Sequence, residues 1–156
     1  PMTDAEVKAA GLNPEGVFEE FISQRKLRDL EPDNEMIKVI NQLRSSGYWI
    51  QLLTARPEEN LLCCYDTYRW LQKYDLGFDS LAFSPEKYRW LTKSEYFESG
   101  KIRFAIDDSP KHSSEYAKHG IEVFVPSTSY NQEVRNVENI KMIERPDEIL
   151  KLVSNS

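Results

Sequence analysis

The chain has 156 residues, of which 40% are apolar and 29% charged, a composition typical of a globular domain rather than of a disordered chain. Its net charge of −6 argues against a general affinity for nucleic acids or anionic membranes, although a local basic site can still bind a phosphate. No apolar run is long enough to cross a bilayer and no signal peptide is recognisable, so we expect a cytoplasmic protein without a membrane partner.

Hydrophobic periodicity and cap residues predict an alternation of helices and strands. In chain order the predicted elements are a helix over 15–25, a helix between Asp33 and Gly47, a strand over 48–53, a helix over 58–74, a strand over 81–83, a helix over 86–98, a strand over 102–106, a helix over 111–119, strands over 121–125 and 140–143, and a helix from Pro146 to Leu152. This alternation predicts an α/β fold, a three-layer Rossmann-like parallel sheet with helices on both faces. We expect a single domain over 1–156, with a cap-like segment at 1–31 and the core at 32–156.

Two adjacent carboxylates, Asp107 and Asp108, follow the predicted strand 102–106. Functional groups gather at the carboxyl ends of strands in sheets of this kind. Adjacent like charges repel each other unless a cation compensates them, and Mg²⁺ is a hard cation that suits oxygen ligands. The alternative is that Asp108 or Ser109 only caps the next helix. The pair alone leaves both interpretations open.

A second candidate site follows the strand 48–53 at Thr54, Ala55 and Arg56. A hydroxyl at a strand end, followed by backbone N–H groups at the start of a helix, is suited to bind an anion. The guanidinium of Arg56 can add a charge-assisted contact to a phosphate. Alternatively, Thr54 only caps the helix that begins near Pro57.

Lys93 precedes the strand 102–106 and is placed to neutralise a phosphate and the two carboxylates together. Lys87 is an alternative for the same role. Most single lysines are solvated surface residues, which is the third interpretation of Lys93.

A hydroxyl, a lysine and a pair of acids in this order resemble the motifs of the haloacid dehalogenase (HAD) superfamily of phosphatases. The chain looks closest to the branch that acts on small nucleotides and polynucleotide ends. The resemblance extends over about 17–131. The segments that carry it are 17–21, 53–57, 67–71, 78–81, 107–110 and 130–131.

The resemblance implies a Mg²⁺-dependent hydrolase of phosphomonoesters, with a nucleotide or polynucleotide end as the expected substrate. It implies that Thr54 binds the transferred phosphoryl group and that Lys93, or else Lys87, balances the phosphoryl charge. It also implies that Asp107 and Asp108 hold Mg²⁺.

The chain departs from the family at the first motif, a strand ending in Asp-x-Asp, which has no counterpart before Thr54. In the family the first of these aspartates attacks phosphorus and the second is the general acid and base. That strand lies in the middle of the sheet. Its absence would leave the inner edges of the Thr54 and Asp107 strands unpaired, at a cost of about 1–3 kcal/mol for each buried unsatisfied group. We therefore expect a segment upstream of Pro1 to supply both the strand and the nucleophile.

Two other functions are compatible with these motifs. One is a non-catalytic protein of the HAD fold that binds phosphate and metal without turnover. The other is a nucleotide-binding or response-regulator-like α/β domain in which the adjacent acids have no such role.

Overall fold

Helices and short parallel strands alternate along most of the chain, as the sequence predicts. The computed structural model describes residues 3–94 and 100–155. In chain order the elements are α1 (Asp4–Ala9), α2 (Pro14–Ser23), a 3₁₀ turn (Lys26–Asp29), α3 (Asn34–Ser45), β1 (Gln51–Thr54), α4 (Leu61–Lys73), β2 (Ser80–Phe83), α5 (Lys87–Thr92), β3 (Ala105–Ile106), α6 (Pro110–Lys118), β4 (Val123–Pro126), a 3₁₀ turn (Gln132–Val134), β5 (Ile140–Ile143) and α7 (Glu148–Ser154). An α/β class is therefore confirmed, and the finer HAD-like architecture stays a prediction.

The chain forms two compact units. The helical unit consists of Pro1–Pro32 and Arg56–Leu76, and the strand unit consists of Asp33–Ala55 and Gly77–Ser156. Residues 56–76, expected in the core, thus group with the N-terminal helices. The prediction of one domain with a cap-like segment at 1–31 stays a prediction.

The helical unit packs around three buried side chains, Ile22, Leu27 and Cys63. Its first helix, α1, begins with a capping box in which Thr3 and Glu6 satisfy each other's backbone N–H groups. The sequence prediction missed α1 because six residues give too short a run for a hydrophobic period to be visible.

The strand unit contains two small parallel sheets. Strand β1 pairs with β2, Gln51 lying opposite Ser80 and Thr54 opposite Phe83. The second sheet has the order β3-β4-β5 and is also parallel. In its middle strand Phe124 is fully buried and packs against residues of α3, β5 and α7.

Both strands that precede the candidate site are shorter than predicted. Strand β1 starts at Gln51 rather than at residue 48, and β3 includes only Ala105 and Ile106 of the predicted 102–106. Each has a ladder partner on one side only within residues 3–94 and 100–155. One-sided pairing gives the ends of these strands fewer backbone hydrogen bonds to hold them extended. Helix α5 ends at Thr92, and 95–98 of the predicted helix lie outside the described residues.

Across the described ranges, no helix is both long enough and apolar enough to span a lipid bilayer.

Candidate functional site

The first predicted acid, Asp107, is held at the end of β3 by three neighbours. Lys87, the first residue of α5, places its Nζ 2.7 Å from Asp107 Oδ2. The backbone N–H of Ser109 donates to Asp107 Oδ1 at 2.9 Å, and the Ser113 hydroxyl donates to the Asp107 carbonyl at 3.0 Å. Only 16% of the Lys87 side chain and 5% of the Asp107 side chain are exposed, so the ion pair is largely shielded from water. Shielding strengthens the attraction between the two charges.

The lysine in contact with Asp107 is therefore Lys87, the alternative that the sequence left open. Lys93 lies at the C-terminal end of the same helix with an exposed side chain. Six helical residues correspond to about 9 Å along the axis, so the two lysines cannot occupy one position. The role expected for Lys93 stays a prediction that no contact of its side chain within the described ranges supports.

The second acid, Asp108, is exposed and accepts a hydrogen bond from the Tyr130 hydroxyl. Burial and this hydrogen bond raise the pKa of Tyr130 to about 12. The fully buried amide of Asn131 donates to the Asp108 carbonyl at 3.0 Å and to the Pro126 carbonyl at 2.8 Å. The loop after β4 is thus tied to the acids.

Helix α6 begins directly after the acids and adds buried groups that the sequence prediction missed. Ser109, one of the two cap residues that the sequence offered, caps it by accepting the N–H of His112 at 3.4 Å, and Pro110 is its first residue. His112 is buried, and its Nδ1 has no hydrogen-bond partner within the described structure. Burial lowers the pKa of His112, although the negative charge of Asp107 acts in the opposite direction. The one available signal was the position of His112 in the first turn after Asp107-Asp108.

Tyr116 lies two turns into α6 from its cap and is also buried. Burial and the negative charge of Asp107 raise the pKa of its phenol. The side chain faces the apolar cluster that includes Val123 and Val125, so Tyr116 stays neutral and structural at ordinary pH.

The second predicted site is divided between the two units. Thr54 ends β1, where its carbonyl accepts the N–H of Ser84 at 2.8 Å, and Ala55 follows with an exposed side chain. Arg56 belongs to the helical unit, where its Nη1 donates to Thr67 Oγ1 at 2.7 Å. Burial lowers the pKa of Arg56. The phosphate-binding roles expected for Thr54, Ala55 and Arg56 stay predictions.

The two strands that carry Thr54 and Asp107 start from neighbouring positions. Tyr48, which precedes β1, contacts Phe104, which precedes β3, with 5.6 Å between the ring centroids. Ile50 and Ile106 pack against the same buried cluster around Phe124. The residues that lead into β1 thus share a core with β3, although the approach of Thr54 to the acids stays a prediction.

A complete magnesium site is not formed by these residues alone. Within residues 3–94 and 100–155, no group of three or more His, Cys, Asp or Glu side chains is arranged to hold a metal ion. Both oxygens of Asp107 already accept hydrogen bonds, from Lys87 and Ser109. Mg²⁺ requires near-octahedral oxygen coordination, so Asp107 and Asp108 would need further ligands.

No protein-family model, curated protein or solved structure matches this chain. The resemblance to the HAD superfamily therefore stays a prediction from the sequence motifs.

Proposed function

We propose that the strand unit is the core of a HAD-type phosphomonoester hydrolase that acts on a nucleotide or polynucleotide end. The observation that carries the proposal is the shielded ion pair between Lys87 and Asp107, at the carboxyl end of a parallel strand and beside a second acid, Asp108. A lysine fixed in this way is a preorganised positive charge, which stabilises a phosphoryl group without reorganisation during the reaction.

Each candidate site residue has a defined task in this proposal. The Lys87 ammonium, oriented by Asp107, neutralises the charge of the phosphoryl oxygens. Thr54 donates its hydroxyl to one of those oxygens, and the N–H of Ala55 supplies a second donor. Mg²⁺ is the expected cofactor, and Asp107 and Asp108 would contribute to its site together with ligands from other residues.

The nucleophilic aspartate would come from one further strand, inserted between β1 and β3. The N–H and carbonyl groups of successive residues point to opposite sides of a strand. The hydrogen bonds on one side therefore show which groups point to the open edge. Ala105 and Asp107 direct their N–H groups to β4, so the N–H and carbonyl of Ile106 point away from it. The carbonyls of Ile50, which directly precedes β1, and of Thr54 accept hydrogen bonds from the β2 side, so the backbone groups of Leu53 point the opposite way.

The contact between Tyr48 and Phe104 is compatible with the same insertion. Adjacent strands lie about 4.8 Å apart, so two strands separated by a third lie about 10 Å apart. Two aromatic side chains can bridge such a distance, and Tyr48 and Phe104 are in ring contact beside these strands. A strand inserted here would satisfy the outward groups of Leu53 and Ile106 and would end beside Asp107.

The test is phosphatase activity of the full-length gene product. Hydrolysis of p-nitrophenyl phosphate and of a nucleoside 5′-monophosphate would be followed with Mg²⁺ in the wild type, Lys87→Ala and Lys93→Ala. We expect Lys87→Ala to lower kcat/KM at least 100-fold, because the phosphoryl charge loses its cation, and Lys93→Ala to change it less than twofold. Absence of turnover in the wild type would overturn the proposal.

A non-catalytic phosphate-binding protein of the same fold is the second candidate. It is favoured by the hydrogen bonds that already occupy both carboxylate oxygens of Asp107 and one of Asp108, since a catalytic Mg²⁺ would need these oxygens as ligands. Calorimetric binding of inorganic phosphate that depends on Lys87, without turnover by the full-length gene product, would support this function instead.

A further inference from the structure

A basic groove with aromatic walls lies on the helical unit, apart from the residues assigned above. Its volume is about 330 Å³, close to the lower end of the range of about 300–1,000 Å³ for small-molecule sites. The groove is lined by Arg28, Asp29, Tyr65, Arg69, Trp70 and Lys73. Three cations and one anion on its walls contrast with the net charge of −6 of the chain. A local positive field of this kind attracts an anion.

Arg28 is held in place from the protein side of the groove. Its Nε donates at 2.8 Å to Asp66, whose carboxylate is fully buried and also accepts two hydrogen bonds from Arg25 at 2.6 Å. The Arg25 guanidinium hydrogen bonds keep the pKa of Asp66 at about 2, so this partner stays charged. The Arg28 side chain is 46% exposed, and its terminal nitrogens have no partner within the described ranges. These donors are available to a ligand in a fork geometry that suits phosphate.

The aromatic walls are also positioned before any ligand binds. The Trp70 indole N–H donates to the Leu30 carbonyl at 2.7 Å, which fixes the plane of the ring. Tyr65 is 53% exposed, and the guanidinium carbons of Arg25 and Arg28 lie 5.9 and 6.0 Å from its ring centroid. Cation–π contacts at such distances hold the phenol beside the cations. An exposed aromatic face next to guanidinium groups can stack a nucleobase.

We propose that this groove binds one nucleotide, with its phosphate on Arg28, Arg69 and Lys73 and its base against Tyr65 or Trp70. The volume of about 330 Å³ suits a single nucleotide unit, either free or within a single-stranded nucleic acid. The site is independent of the proposed hydrolase site, because every lining residue belongs to the helical unit.

The experiment is titration calorimetry with adenosine 5′-monophosphate, inorganic phosphate and a short single-stranded oligonucleotide. It uses the Lys87→Ala protein as the background, so that the proposed hydrolase site does not contribute. We expect the double variant Arg69→Ala/Lys73→Ala to raise the Kd for the monophosphate at least tenfold. Lys8→Ala, an exposed lysine of the same unit outside the groove, should leave the Kd unchanged within twofold.

The double variant leaves the Arg25–Asp66–Arg28 cluster intact, and its folding would be checked by circular dichroism. Equal affinity of the double variant and its parent for the monophosphate would overturn the proposal, as would equal affinity of the parent for phosphate and monophosphate. Tighter binding of the oligonucleotide than of the monophosphate would show that the groove binds a nucleotide within a single-stranded nucleic acid. The reverse order would show that it binds a free nucleotide. Either order supports the groove as a nucleotide site.

Discussion

Lys87 and Asp107 are 20 residues apart in the chain, and their side chains meet at 2.7 Å where β3 ends. Because water reaches little of either side chain, each charge is stabilised mainly by its partner rather than by solvent. The pair therefore ties α5 to the second sheet in addition to any part it has in phosphate binding.

Removing Lys87 should destabilise the strand unit. In Lys87→Ala the nearly buried carboxylate of Asp107 keeps only its bond from Ser109, and loss of one partner of a buried pair costs about 3–5 kcal/mol. We expect a loss near 3 kcal/mol, because Lys87 retains some exposure. Urea unfolding would measure it. Lys93→Ala is the matched control and should change the free energy of unfolding by less than about 0.5 kcal/mol. Equal losses in the two variants would show that the ion pair does not stabilise the unit.

Asp66 should make the helical unit sensitive to acid. Its folded pKa of about 2 lies below the value of about 3.9 for an unfolded aspartate, so its contribution to stability is fully present above about pH 4. That contribution is lost as the pH falls from about 4 to about 2, because protonation removes the charge that Arg25 and Arg28 bind. Urea unfolding between pH 2 and 6 should show this fall in the wild type.

The matched variants separate Asp66 from other carboxylates. Asp66→Asn should be less stable at pH 6 and should lose little further stability between pH 4 and 2. Glu19→Gln, an exposed carboxylate of the same unit, should keep the wild-type pH dependence. A pH profile of Asp66→Asn parallel to that of the wild type would contradict the assignment.

Asn131 should be among the least replaceable residues of the loop after β4. Its buried amide donates to the carbonyls of Asp108 and Pro126, and its oxygen accepts the N–H of Thr128 at 2.9 Å. Asn131→Ala leaves these groups without partners, each at a cost of about 1–3 kcal/mol if water does not reach it. We expect a loss of at least about 3 kcal/mol by thermal or urea unfolding. Gln132→Ala, in the same loop but exposed, should cost less than about 1 kcal/mol. A loss in Asn131→Ala no larger than this control would contradict the prediction.

The sequence predicted where β1 and β3 end because Thr54 and Asp107 interrupt apolar runs, and the change from apolar to polar is a local signal. The choice between Lys87 and Lys93 depended on which end of α5 approaches β3, and that is fixed by tertiary packing. The ion pairs of Arg25 and Arg28 with Asp66 connect residues 41 and 38 positions apart. No local pattern distinguishes such a buried acid from a solvated one.

The open edge of β3 gives the last prediction. Ala105 donates its N–H to the Glu122 carbonyl at 2.8 Å, whereas the N–H of Ile106 points away from β4, because backbone groups alternate sides along a strand. Amide hydrogen exchange measured by NMR on the 156-residue chain should therefore be at least tenfold faster at Ile106 than at Ala105. The strand proposed between β1 and β3 would, in the full-length gene product, accept the Ile106 N–H and slow its exchange to the rate of Ala105. The backbone N–H of Leu53, which points to the open side of β1, should become protected from exchange in the same protein. Slow exchange at Ile106 and Leu53 in the 156-residue chain would mean that its own residues already close both edges, and the inserted strand would then have no place in the sheet.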